Sequence, residues 1–157
     1  MFSDLSGIEK SHRVPRTKMT IMNISINASF LPHTDAEASL TFYRDVLGFE
    51  VRLDVGSGQM RWLTVGPAGQ PDTSIVLTPA ITDPTISDDE RDVIESLMAK
   101  GSYGAIVLAS MNVDEAFAEV EARGAEIVQE PMDQPYGLRD FALRDPAGNM
   151  IRIQQRG

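Results

Sequence analysis

Cysteine is missing from all 157 residues. That excludes a disulfide framework, a thiolate metal site and a thiol nucleophile. Histidine is nearly as scarce, with only His12 and His33. No apolar run approaches the roughly 18 residues that a bilayer span requires. The first 21 residues lack the continuous apolar segment of a secretory leader. Freedom from cysteine suits a reducing compartment, so a cytoplasmic protein is expected. Positive charge is also in short supply: 14 Lys and Arg face 23 Asp and Glu, for a net charge of −9. Residues 1–21 contribute +2, which leaves a body near −11. Such a body repels nucleic acid and anionic lipid, so neither is an expected partner, and it attracts cations at long range. No G-x-S-x-G occurs. The Gly56-Ser57-Gly58 run lacks the further glycine and the following helix that phosphate binding needs.

What the chain does contain is an internal duplication. Thr34-Asp35-Ala36-Glu37 has the form of a capping box, with Thr34 as N-cap and Glu37 three residues on. Ala36, Leu40, Tyr43 and Leu47 follow at helical spacing, and Gly48 stops the helix. Asn112-Val113-Asp114-Glu115 repeats the start. Val113, Phe117 and Val120 repeat the stripe, and Gly124 repeats the stop. A β-prone run precedes each helix, Ile24–Leu31 and Ala105–Ala109. Three strands are predicted after each: Phe49–Val55, Met60–Val65 and Ser74–Thr78, then Glu126–Gln129, Asp140–Arg144 and Met150–Gln154. The chain therefore reads βαβββ twice. The expected division is a flexible tail over 1–21, a first module over 22–80, a linker over 81–102 and a second module over 103–157. Within the linker, Ser87-Asp88-Asp89-Glu90 is a further capping box, opening a short amphipathic helix that ends at Gly101.

Two stretches carry a resemblance. Phe42-Tyr43-Arg44-Asp45-Val46-Leu47-Gly48-Phe49 resembles the "FY-x-x-x-LGF" signature of the vicinal-oxygen-chelate superfamily, which holds glyoxalases, bleomycin-resistance proteins and extradiol dioxygenases. Asp145-Pro146-Ala147-Gly148-Asn149-Met150-Ile151 resembles its "DP-x-GN-x-I" signature. The likeness covers roughly residues 22–155, with one signature per module. It implies an α+β fold in which two tandem βαβββ modules form a curled, mixed eight-stranded sheet around a pocket, with helices outside. It also implies a homodimer. The signature residues themselves read as determinants of fold: aromatics against the sheet, and Asp145 and Asn149 bonding their own turn.

In metal-dependent members of that superfamily, four His, Glu or Gln side chains converge in the pocket, one from the first and one from the last strand of each module. The matching positions here are Ala28, Val76, Ala105 and Arg152. Three aliphatic side chains and a fixed cation are no ligand set. His33 falls at the end of the first strand and reads as a strand-end residue. No metal and no other cofactor is therefore expected. Glyoxalase and dioxygenase chemistry, which use the ion, are disfavoured.

A pocket without an ion still binds. Its expected lining is Phe30, Met60, Trp62, Tyr103, Tyr136, Phe141, Met150 and Arg152, apolar and aromatic groups with one polar anchor. Alternation puts Met60, Trp62 and Thr64 on one face of their strand and Arg61, Leu63 and Val65 on the other. It does not say which face is the pocket. Arg152 shares a face with Met150 and Gln154, with Ile151 and Ile153 under the helices. It either pairs with an acidic neighbour or holds an anionic ligand group. The stretch from Pro131 to Phe141 resembles the "P-x-G-x-R-D-F" segment of bleomycin-resistance-type members, which lack the metal and sequester a cationic drug. The reading that follows is a protein binding a small molecule, cationic or aromatic, without metal, with antibiotic sequestration as its purpose. The alternative is a metal-dependent lyase, isomerase or dioxygenase whose ligands lie elsewhere.

Overall fold

The computed structural model describes residues 20–157. The expected tail therefore lies almost wholly outside the described residues. The first module comprises β1 (Ala28–His33), α1 (Ala36–Thr41), β2 (Glu50–Ser57), β3 (Met60–Gly66) and β4 (Ser74–Pro79). A connecting helix, α2 (Asp88–Ala99), leads to the second module. That module comprises β5 (Ala105–Ser110), α3 (Val113–Ala122), β6 (Glu126–Asp133), β7 (Arg139–Arg144) and β8 (Met150–Gln155). The fold is α+β, and the twofold βαβββ order of the sequence is present. The eight strands divide into two open four-stranded sheets, ordered β1-β4-β3-β2 and β5-β8-β7-β6. In each, the first strand runs parallel to the last, and the remaining pairings are antiparallel.

Alternation along the strands sorts each sheet into two faces. Leu63, Val65, Ile75 and Leu77 of the first sheet are buried, as are Phe141, Leu143, Ile151 and Ile153 of the second. All eight share one core with Leu40, Tyr43, Val113 and Val120 from the helices. A single core joins the two modules, so the opposite face of each sheet points away from it and is left open.

The first helix begins one residue later than the sequence indicates. Asp35, not Thr34, is the N-cap, its carboxylate accepting from the Ala38 N–H at 3.2 Å. Thr and Asp are both good caps, and their adjacency left the choice to the backbone. After Thr41 the helix widens into a π turn over Phe42–Val46, and the Leu47 N–H donates to the Phe42 carbonyl at 3.0 Å. The widened turn carries two consecutive aromatics, and both Phe42 and Tyr43 are buried, their rings edge to face at 5.1 Å. Helix α2 has both halves of the predicted Ser87–Glu90 capping box. Asn112 caps α3 by accepting from the Glu115 N–H at 3.1 Å.

Helix α2 is tied down at its C-terminal end. Arg144 donates to the carbonyls of Ala99 and Lys100 at 3.0 and 2.9 Å, using two of the orphan acceptors of a helix end. Gly148 (φ +90°) sits under the same turn, where a β-carbon would stand 2.0 Å from the Met98 carbonyl oxygen. No helix among the described residues is long and apolar enough to cross a membrane.

Candidate binding faces on the two sheets

The register of the first sheet assembles an apolar surface on its open side. Phe30 pairs with Val76, Val76 with Thr64, and Thr64 with Leu53; Trp62 pairs with Val55. Cross-strand partners point the same way, so these side chains share one face. Phe30 is 65% exposed, and Leu53, Val55 and Met60 are exposed beside it. The face holding Met60, Trp62 and Thr64 is thus the open one, because Leu63 and Val65 occupy the core. A bulge between Val51 and Leu53 brings this about on β2: Val51 pairs with core-facing Val65, while Leu53 pairs with Thr64 on the other side. The regular alternation of Val51, Leu53 and Val55 in the sequence gives no hint of that switch.

The bulged residue, Arg52, reads in the sequence only as a polar position of an alternating strand, and it has a clear structural part. Its guanidinium donates to the carbonyls of Thr73, Pro67 and Gln70 at 2.6, 2.8 and 2.9 Å, and to the Ser74 hydroxyl at 2.8 Å. It holds the β3–β4 loop to the sheet. No sequence signal marks such a clamp, since its acceptors are mostly backbone.

On the second sheet, Val107 and Ala142 flank Arg152 in the ladder, and Met150 pairs with Ala105. All share the open face with Asp140, which pairs with Met132 and Gln154. Here the open face carries a polar cluster. Asp140 is fully buried. Its Oδ1 accepts from Arg152 Nη1 at 3.0 Å, Gln134 Nε2 at 2.9 Å and Gln129 Nε2 at 3.2 Å, and its Oδ2 accepts from the Tyr136 hydroxyl at 2.5 Å. Burial opposes ionisation of Asp140, but the hydrogen bonds from Tyr136, Gln134 and Gln129, with the charge of Arg152, outweigh it and hold the carboxyl below its ordinary range. The bond to Asp140 pushes the Tyr136 phenol up. Arg152 also donates to Gln129 Oε1 at 3.2 Å. The hairpin over Gln134–Leu138 delivers Tyr136 and Gln134, closed by Gln134 N–H to Leu138 O at 2.8 Å. The segment from Pro131 to Phe141 that stood out in the sequence is therefore the scaffold of this cluster.

Of the eight residues predicted to line a pocket, Phe30, Met60 and Trp62 lie on the first open face, and Met150 and Arg152 on the second. Tyr136 overhangs the second from its hairpin, and Tyr103, exposed, precedes β5. Phe141 is a correction. It is fully buried on the helix side, edge to face with Phe117 at 5.4 Å. Its neighbours Asp140 and Ala142 take the open face, and a period of two sends Phe141 the other way. His33 is buried at the end of β1, donating from Nε2 to the Arg61 carbonyl at 2.6 Å.

The residues at the four positions that the resemblance matches to a superfamily metal site are not a set that would hold an ion. Ala28 and Val76 lie on one open face, Ala105 and Arg152 on the other, and Arg152 is ion-paired. Among the described residues no group of three or more His, Cys, Asp or Glu side chains comes together in a way that would hold a metal.

A groove of about 550 Å³ lies elsewhere, where Val46, Leu47 and Phe49 of the first module meet Leu108, Val120 and Ile153 of the second. It contains none of the eight predicted residues. Arg123 bridges its walls by donating to the Val46 carbonyl at 2.9 Å.

The two signature motifs meet between the modules. The Tyr43 hydroxyl donates to Asp145 Oδ2 at 2.7 Å, and Asn149 Nδ2 donates both to Asp145 Oδ2 at 2.7 Å and to the Pro32 carbonyl at 2.8 Å. The N–H groups of Ala147 and Asn149 donate to Asp145 Oδ1 at 2.9 and 3.0 Å. Burial raises the pKa of Asp145 despite these donors, and burial beside that carboxylate raises Tyr43 well above its ordinary value. Residues 25–153 match the model of the Glyoxalase/Bleomycin resistance protein/Dioxygenase superfamily. The chain belongs to that superfamily. The crystal structure of UcmS2 shares 31% identity, with 86% of this chain and all of that one covered and a TM-score of 0.75. The structure of TnmS3, an antibiotic binding protein from Streptomyces sp. CB03234, shares 30% identity over 87% of this chain and all of that one, with a TM-score of 0.67. An uncharacterised protein of Bacillus subtilis (strain 168), YurT, is 26% identical over 137 residues, which is 86% of this chain and the whole of YurT.

Proposed function

We propose that this protein binds a small molecule on the open faces of its two sheets without a metal ion, and that it sequesters an antibiotic. The observation that carries the reading is the ion pair of Arg152 with Asp140 at the position of the superfamily's last metal ligand. A cation already committed to a buried carboxylate is the wrong group to face a divalent ion. The apolar surface around Phe30, Met60 and Trp62 offers stacking and contact area of the kind ligand sites use. The 30% identity to an antibiotic binding protein supports the choice of ligand class. We propose further that a homodimer brings the first face of one chain opposite the second face of its partner. The cytoplasm, a reducing compartment, is the proposed location.

The test is a thermal-shift series on purified protein. Addition of Zn²⁺, Ni²⁺, Mn²⁺ or Fe²⁺ is expected to leave the melting temperature unchanged. One member of a panel of aromatic antibiotics, at a hundred times its Kd, is expected to add about 2.7 kcal/mol, or roughly 5–10 °C for a chain of this size. A stoichiometric ion found by elemental analysis, with stabilisation on its addition, would return the protein to the metal-dependent enzymes.

A further inference from the structure

Arg152 has two edges, and only one is occupied. Its Nη1 donates to Asp140 and Gln129, and the Tyr136 hydroxyl lies close enough to feel the guanidinium, whereas Nε and Nη2 make no hydrogen bond among the described residues. The side chain is 35% exposed, and its carboxylate partner is buried completely. Asp140 in turn is fully buried and already accepts four bonds, three on Oδ1 and one on Oδ2. A ligand arriving at this face therefore meets the arginine and not the acid. The charge presented outward is positive, although the chain as a whole is strongly negative.

On this basis, and resting on the binding function proposed above, we infer that the free edge of the Arg152 guanidinium anchors an oxyanion of the ligand, a carboxylate or phenolate carried on an aromatic body. The guanidinium is already oriented by Asp140 and Gln129, so little side-chain freedom is lost when a ligand binds. Of its ladder neighbours, Ala142 is buried, while Val107 is small, aliphatic and 59% exposed. Val107 leaves room for an apolar ring to lie beside the anchored oxygen. Tyr136, its hydroxyl fixed on Asp140, stands beside the same spot. The negative body does little against this contact. Exposed charges beyond about 8 Å are screened at physiological ionic strength, while a charge-assisted pair acts at contact.

Two fluorescent probes with nearly the same aromatic body separate the anchor from the apolar face. One is 8-anilinonaphthalene-1-sulfonate, which carries an oxyanion; the other is N-phenyl-1-naphthylamine, which is neutral. The cationic dye thioflavin T is the third arm. The native protein is expected to favour the sulfonate over the neutral probe by about tenfold, the size of one charge-assisted bond. Arg152→Gln is expected to abolish that preference while leaving the neutral probe bound, and Arg152→Lys to restore part of it. If Arg152→Gln fails to fold because Asp140 is left unpaired, the double variant Arg152→Gln/Asp140→Asn removes both charges and is expected to show the same loss. Equal binding of the two naphthyl probes, unchanged in Arg152→Gln, overturns the anchor and leaves the binding face standing. So does binding of thioflavin T in preference to both. No binding of any probe removes the binding face and the anchor together.

Discussion

Single side chains decide how the two modules hold together. Tyr43 and Asp145 both stand in the superfamily signatures, and the bond between them spans the modules. Tyr43→Phe keeps the ring in the core and removes only the hydroxyl. Asp145 keeps Asn149 and two backbone donors, so it is not stranded. A loss of about 1–2 kcal/mol is expected, the lower part of the range for a broken buried bond. Urea denaturation measures it, and no change in the midpoint would assign the hydroxyl no part in stability. The roles of Asp145 and Asn149 in their own turn were legible in the sequence, because Asx side chains cap tight turns by local chemistry. Their reach to Tyr43 and Pro32 was not, because it depends on how two distant segments pack. Arg152 divides in the same way. Its shared face with Met150 and Gln154 followed from a period of two, while its partner Asp140 required the β7–β8 register.

At the scale of elements, the connecting helix shows how little space a turn can have to spare. Gly148 is needed twice over: its φ of +90° is one that side chains rarely adopt, and a β-carbon would collide with the Met98 carbonyl at the end of α2. Gly148→Ala is therefore expected to lift α2 from the second sheet and to cost at least about 2 kcal/mol, as incompatible glycine replacements do. Faster amide exchange over residues 95–102 is the accompanying sign, and protection equal to the native protein would show that the turn adjusts. Element order and type were readable throughout, from capping residues, helical stripes and turn clusters. Boundaries shifted where two signals competed, as with Thr34 and Asp35, or where none existed, as with the β-bulge at Arg52. That bulge matters to the candidate site, since it turns Leu53 and Val55 toward the open face while Val51, itself partly exposed, stays on the side of Val65.

For the molecule as a whole, the telling feature is that one core serves both modules while two sheet faces stay bare. The duplication in the sequence made the pair of modules evident. It was silent on which surfaces of the sheets the helices would cover, because alternation defines faces only relative to one another. Exposed apolar surface of this kind marks an interaction site. If a partner chain covers part of it, as the proposed homodimer requires, Phe30→Asp on the first open face is expected to shift the protein from dimer to monomer without unfolding it. Sedimentation velocity at tens of micromolar reads this directly, and a native protein that sediments as a monomer would remove the dimer.

The bond from Tyr43 to Asp145 also sets a schedule for biosynthesis. The two residues are 102 positions apart. At a ribosomal rate of about 5–20 residues per second, Tyr43 is made roughly 5–20 s before its acceptor. For that interval Leu40, Phe42 and Tyr43 have only half of their eventual surroundings. Nascent chains thus pass through a window in which chaperones, or the first module of a neighbouring nascent chain, compete with the second module for the same apolar surface.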